Sequence, residues 1–154
     1  MTFLAYIPAR KNSIRIKNKN IKLLNGKPLI YYTLLAAKKS KFINIIYVST
    51  DSIKVKNISV NQNIKIPQLR IKKYSHDETS MHELIKYEYN KILKKNYSFK
   101  YLVLLQPTSP LRNYKDIDEA CRIFLKNSKS DSLVSTTDVD NKSVKNKIMY
   151  SNDK

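Results

Sequence analysis

One glycine in 154 residues, Gly26, leaves no way to build the Gly-x-x-x-x-Gly-Lys-Ser/Thr loop or the Gly-x-Gly-x-x-Gly turn that cradle phosphates in many nucleotide-binding proteins. One cysteine, Cys121, cannot form an internal disulfide, which agrees with a reducing compartment. No apolar run approaches the roughly 20 residues that span a bilayer. The opening Met1–Ile7 carries no basic residue ahead of its apolar stretch, and Pro8 and Arg10 cut that stretch short. A signal peptide has the opposite layout, so a cytoplasmic chain without membrane partners is expected. Acidic residues are scarce, 12 against 30 Lys and Arg, which leaves a net charge of +18.

That charge favours polyanionic partners: nucleic acid, anionic membrane or phosphorylated metabolites. Its form weakens the nucleic-acid reading. Lysines far outnumber arginines and lie in every segment, whereas a groove reader concentrates the arginine fork that matches phosphates and guanine edges. Abundant Lys, Asn and Ile fit compositional drift in an AT-rich genome. A hydrophobic content of 42% is enough for a core, and the length suits one domain, expected over residues 1–140 with a polar, frayed or truncated end at 141–154.

The pattern alternates strands and helices. Phe3–Pro8 suits a buried strand closed by proline. Residues 28–39 suit a helix with Pro28 near its first turn and lysines at its end. Residues 44–50 are β-branched and aromatic and read as a second strand, with a short helix after Ser52. Residues 64–71 form a weaker extended segment broken by Pro67. Ser80 and Glu83 have capping-box spacing and open a helix through about Lys94. Residues 100–106 are apolar on both faces and read as a central strand. Residues 114–126 carry Ile117, Ala120, Cys121, Phe124 and Leu125 on one helical face. Residues 131–137 read as a last strand. Such alternation predicts an α/β fold: three layers, a mostly parallel open sheet with helices on both faces. Ligands in these sheets bind beyond the carboxyl ends of the strands. The strand exits are Pro8–Arg10, Ser49–Asp51, Gln106–Ser109 and Thr136–Asp138.

The loop after the first strand holds Arg10, Lys11, Asn12, Ser13, Arg15, Lys17, Lys19 and Asn20. Cations and small polar groups at a strand exit can wrap a triphosphate, with charge-assisted bonds worth about 1.5–3 kcal/mol each. Other candidates read as structural. Asp116, Asp118 and Glu119 suit the dipole of a helix start. Asp138 and Asp140 suit a polar turn better than a metal. His76 and His82 lack the spacing of a helical metal pair and read as surface residues. Cys121 reads as core, and the tyrosines as core and interface.

Three ordered blocks carry a resemblance: Ile7-Pro8-Ala9-Arg10-Lys11-Asn12-Ser13 continuing through Lys19-Asn20 and Gly26-Lys27-Pro28; Val48-Ser49-Thr50-Asp51-Ser52; and Leu104-Leu105-Gln106-Pro107-Thr108-Ser109-Pro110-Leu111-Arg112. A weaker block holds Arg70 and Ser75-His76-Asp77-Glu78-Thr79-Ser80. Together they resemble the N-terminal two-thirds of the acylneuraminate cytidylyltransferases, which activate sialic acids and other nonulosonic acids as CMP-sugars. The resemblance implies a Rossmann-like nucleotide-diphospho-sugar transferase fold, CTP and a nonulosonic acid as substrates, Mg²⁺ as cofactor and a homodimer. It further implies that Arg10 contacts the triphosphate, and that Lys19 and Asn20 contact phosphate and nucleotide. Asn12, Ser13 and Arg70 complete the nucleotide site. Asp77, Thr79 and Ser80 lie near base and ribose, and Gln106 lies where the acceptor sugar meets the nucleotide.

Two departures stand beside it. The family's loop glycines are replaced by Lys11 and Asn12, and Asn12 is expected to keep the turn because asparagine tolerates left-handed backbone. The family's dimerisation segment, basic catalytic region and Asp-rich metal motif have no counterpart before Lys154. Two alternatives to an active synthetase therefore stay open: a truncated relative that binds nucleotide without catalysis, and a basic nucleic-acid-binding module.

Overall fold

The computed structural model describes residues 2–136 except Ile14, Pro67, Asp77, Lys95, Asn96 and Ser128. The expected polar end at 141–154 and the carboxylates Asp138 and Asp140 lie outside the described residues.

The elements run β1 (Phe3–Pro8), β2 (Leu23–Leu24), β3 (Lys27–Pro28), α1 (Leu29–Lys39), β4 (Ile43–Ser49), α2 (Ile53–Val60), α3 (Met81–Lys94), β5 (Tyr101–Leu104) and α4 (Tyr114–Lys126). Single 3₁₀ turns stand at Lys19–Ile21 and Lys72–Tyr74. The main sheet has the order β4-β1-β5, all parallel, with Phe3 opposite both Ile43 and Tyr101. Alternation along β1 builds two cores, because successive side chains point to opposite faces. Phe3, Ala5 and Ile7 pack with Ile30, Leu34, Val55, Ile117 and Cys121, which come from α1, α2 and α4. Leu4 and Tyr6 pack with Tyr47 and with Leu84 and Ile92 of α3. Helices therefore cover both faces of the parallel sheet, the three-layer α/β arrangement expected from the sequence.

Local chemistry fixes the ends of these elements. Asn113 and Asp116 close a reciprocal capping box at the start of α4. Ser80 and Glu83 do the same before α3: the Ser80 hydroxyl accepts from Glu83 N at 3.1 Å, and Glu83 Oε2 accepts from Ser80 N at 3.1 Å. The sole glycine sits in the two-residue turn of the β2–β3 hairpin, where Asn25 and Gly26 have φ of 46° and 74°; a primed turn needs two positive φ values, which Asn-Gly accepts at least cost.

Several expectations are corrected. β5 is an edge strand among the described residues, pairing β1 alone, and Leu104 is 38% exposed. An apolar run reports that both faces are covered and says nothing of lateral neighbours, so it misplaced the strand. Residues 131–136 form no strand and are all exposed, Leu133 and Val134 included; Thr137 lies outside the described residues. Strand propensity needs a partner to act on, and no described strand pairs with this stretch. Residues 64–66 and 68–71, read as a weaker extended segment, run as a strap anchored by Arg70 N on Thr50 O at 2.7 Å, with Ile64 and Ile66 buried. Asn12 lacks positive φ; the left-handed asparagines are Asn18, Asn25 and Asn63. Asp118 serves no helix dipole: it is buried and accepts from Ser40 Oγ at 2.5 Å and Lys41 N at 3.0 Å, tying α4 to the joint between α1 and β4.

Candidate functional site

The chain leaves β1 toward β4 on one side, then returns across the sheet to lay β5 on the other. The direction of connection reverses between β1 and β5, and their carboxyl ends mark the crevice where open parallel sheets bind ligands. A cavity of about 240 Å³ occupies it.

Four loop segments wall the cavity, together with Met81 and Leu84 of α3. Pro8 closes β1, Arg10 follows it, and Ser13, Lys19 and Asn20 come from the loop beyond. Asn18 at φ 56° makes the left-handed corner before the 3₁₀ turn that carries Lys19 and Asn20. Asn20 is buried, and its Nδ2 donates to Arg10 O at 2.9 Å, closing the loop on itself. The exit of β4 braces the same loop: Thr50 Oγ1 donates to Ala9 O at 2.6 Å, and Asp51 Oδ1 accepts from Lys11 N at 2.6 Å. Arg70 enters from the strap, and Tyr74, His76 and Thr79 from the segment before α3. Gln106, Pro107 and Thr108 follow β5, and Arg112 Nη2 holds the Gln106 carbonyl at 3.0 Å.

Arg70 is the most constrained cation. It is 7% exposed, and its Nε and Nη2 donate to Ser49 Oγ at 2.8 Å and Ser49 O at 2.6 Å. Arg112 sits partly buried, which pushes its guanidinium below its ordinary range, with Asp116 acting the other way. Beneath the cavity, burial first and the Glu88 charge second push the Tyr6 phenol above its ordinary range. Tyr47 is raised by the same two causes in the same order.

Seven of the ten site residues read from the sequence line this cavity: Arg10, Ser13, Lys19, Asn20, Arg70, Thr79 and Gln106. Asn12 is exposed outside the lining, and the Ser80 hydroxyl is engaged in the α3 cap. Asp77 lies outside the described residues. Sequence reasoning missed His76 and Tyr74 as lining residues; the matched block from Ser75 to Ser80 was the one signal for the first, and the second carried none. Among the described residues no group of three His, Cys, Asp or Glu side chains comes together as a metal site, so these residues alone do not fit the implied Mg²⁺. No helix among them is long and apolar enough to cross a membrane.

Cations and small polar groups at the switch point of a doubly wound sheet define a Rossmann-like α/β protein with a cavity suited to a phosphorylated ligand. A family model described as cytidylyltransferase matches residues 4–152, and this chain belongs to that family. It is 38% identical to the CMP-N,N'-diacetyllegionaminic acid synthase of Legionella pneumophila over 84% of this chain and 56% of the relative. It is 34% identical to the N-acylneuraminate cytidylyltransferase of Escherichia coli over 87% of this chain and 31% of the relative. A solved structure of CMP:2-keto-3-deoxy-manno-octonic acid synthetase complexed with CTP superposes with a TM-score of 0.67 at 18% identity, covering 84% of this chain and 49% of that one. The chain thus spans about half or less of the length of these relatives.

Proposed function

We propose that this chain binds CTP in the crevice between β1 and β5 and transfers its cytidylyl group to a nonulosonic acid, releasing pyrophosphate. The observation that carries the reading is convergence: the loops after β1 and β5 and the strap bearing Arg70, which hold the matched motifs, meet around one cavity. Arg10 and Lys19 would neutralise the triphosphate, and Arg70 would add a rigid guanidinium held from behind by Ser49. Asn20 fixes the loop through Arg10 O, and Thr79, in the cavity lining, would contact base or ribose. Gln106, exposed in the cavity lining, would meet the acceptor.

In the reaction the anomeric hydroxyl of the sugar acid forms a bond to the α-phosphorus of CTP. The bond from that phosphorus to the bridging oxygen breaks, pyrophosphate leaves with its electron pair, and the hydroxyl proton passes to solvent. These residues contribute orientation and charge neutralisation, the terms that dominate such transfers. The names of the relatives support a nine-carbon sugar acid as acceptor, and CTP as substrate supports a cytoplasmic location. Nucleotide binding without turnover is the alternative reading. Pyrophosphate release from CTP with a legionaminic or sialic acid separates the two: release dependent on the acid supports transfer, and measurable CTP binding with no release leaves only the second.

A further inference from the structure

Both arginines in the cavity lining, Arg10 and Arg70, are mounted on the short stretch Ser49-Thr50-Asp51 where β4 ends. Thr50 is fully buried; its hydroxyl donates to Ala9 O at 2.6 Å and accepts from Ser52 N at 3.0 Å. An amide N–H can only donate, so the single hydroxyl proton is committed to Ala9 O. Asp51 Oδ1 accepts from Lys11 N at 2.6 Å, and Asn20 Nδ2 donates to Arg10 O at 2.9 Å. On the other side of the same stretch, Thr50 O accepts from Arg70 N at 2.7 Å, and Ser49 takes the Arg70 guanidinium on its hydroxyl and its carbonyl.

These bonds act on the backbone that carries Arg10. Each peptide unit is planar, so Ala9 O and Arg10 N move as one plate, and Arg10 O and Lys11 N as the next. Thr50 pins the first plate. Asn20 and Asp51 pin the second from its two ends. Only φ and ψ of Arg10 relate the two plates, so holding both fixes the direction in which its side chain leaves the chain. A loop that had to be ordered around each bound anion would lose conformational entropy at every binding event, whereas a loop already held presents its cation without that loss. Thr50 brings no charge to the cavity, so its effect on an anion comes through placement alone.

We infer that Thr50 is a positioning residue for the triphosphate: its hydroxyl, together with the Asp51 carboxylate, fixes the backbone on either side of Arg10, and its carbonyl anchors the strap that carries Arg70. The inference rests on the CTP reading above. Thr50 and Asp51 lie outside the cavity lining, so they act through the arginines and not on the nucleotide. One stretch of β4 thereby sets the placement of two cations that reach the cavity from separate loops. A ligand with its charges spaced along a chain of phosphates rewards such a fixed pair, because its binding groups meet partners already in place.

Calorimetric titration of the 154-residue chain with CTP tests this. Thr50→Val keeps the shape and removes the hydroxyl, and Thr50→Ser keeps the hydroxyl; circular dichroism establishes folding first. Thr50→Val is expected to weaken CTP binding about tenfold, equivalent to about 1.4 kcal/mol, and Thr50→Ser by less than about twofold. In an Arg10→Ala background Thr50→Val should cause no further loss, because no guanidinium is left to aim; a purely structural role would not produce that pattern. Should Thr50→Val fail to fold, Asp51→Ala is compared with Asp51→Asn. Both lose the charge, only the second keeps an acceptor for Lys11 N, and Asp51→Ala should bind CTP the more weakly. Unaltered affinity in Thr50→Val, an equal loss in Thr50→Ser, or losses that multiply with that of Arg10→Ala would overturn the inference while leaving the CTP reading intact. Equal affinities of the two Asp51 variants would do the same. Absence of CTP binding by the unaltered chain would overturn both.

Discussion

Cys121 shows how far a helix turn decides the chemistry of a side chain. It lies on the buried side of α4, where burial first and Asp118 second push its thiol up to about 11. The thiolate is the reactive form, so the folded protein should consume a thiol-specific disulfide reagent at pH 8 far more slowly than the same protein in denaturant, by tenfold or more. Equal rates would place the thiol at the surface. The raised value also sets a sign. Below about pH 9 both states hold the proton and stability is unaffected; from there to about 11 the folded state alone holds it, so this contribution is lost as pH rises. Residue positions were legible where a periodic pattern or an ordered motif addressed them, as for Cys121 on its apolar stripe and for Arg10, Lys19 and Gln106, whose blocks line the cavity. Tyr74 and His76 were not, because an isolated ring reads as surface or core until the fold supplies its neighbours.

Among the elements, α4 was read with its bounds, since its apolar face repeats at helical spacing; the cap that Asn113 and Asp116 build came only with the structure. The use of its polar side was hidden. Asp118 is 6% exposed and accepts two hydrogen bonds from the turn between α1 and β4, a contact across 77 or 78 residues that no local pattern encodes. The Ser40 hydroxyl it anchors also accepts from Phe42 N at 3.2 Å and Ile43 N at 3.3 Å, so the carboxylate organises the entry to β4. Asp118→Ala should therefore destabilise the fold by about 1–3 kcal/mol, the cost of buried donors left unpaired. Urea denaturation measures it. A change below a few tenths of a kcal/mol would mean that water replaces the carboxylate without penalty. Affinity for CTP per folded molecule should stay constant, because Asp118 lies outside the cavity lining.

At the scale of the whole molecule, alternation of strands and helices was enough to predict layers and the location of the crevice, because both follow from rules on parallel sheets. It could not give the lateral order β4-β1-β5, which depends on tertiary pairing. That order matters most for function, since it creates the reversal between β1 and β5 and brings Arg10, Arg70 and Gln106 to one cavity. The net charge of +18 is spread over the molecule, so a bound anion must be separated from general attraction. Calorimetric titration with CTP at fixed ionic strength, comparing the unaltered chain with Arg10→Ala and Lys126→Ala, makes that separation most directly. The two substitutions remove the same unit of charge, one in the cavity and one at the end of α4. Saturable binding is expected to fall about tenfold or more in Arg10→Ala and less than about twofold in Lys126→Ala, in keeping with a charge-assisted contact of about 1.5–3 kcal/mol. Equal losses in the two variants, or CTP binding that never saturates, would contradict that expectation.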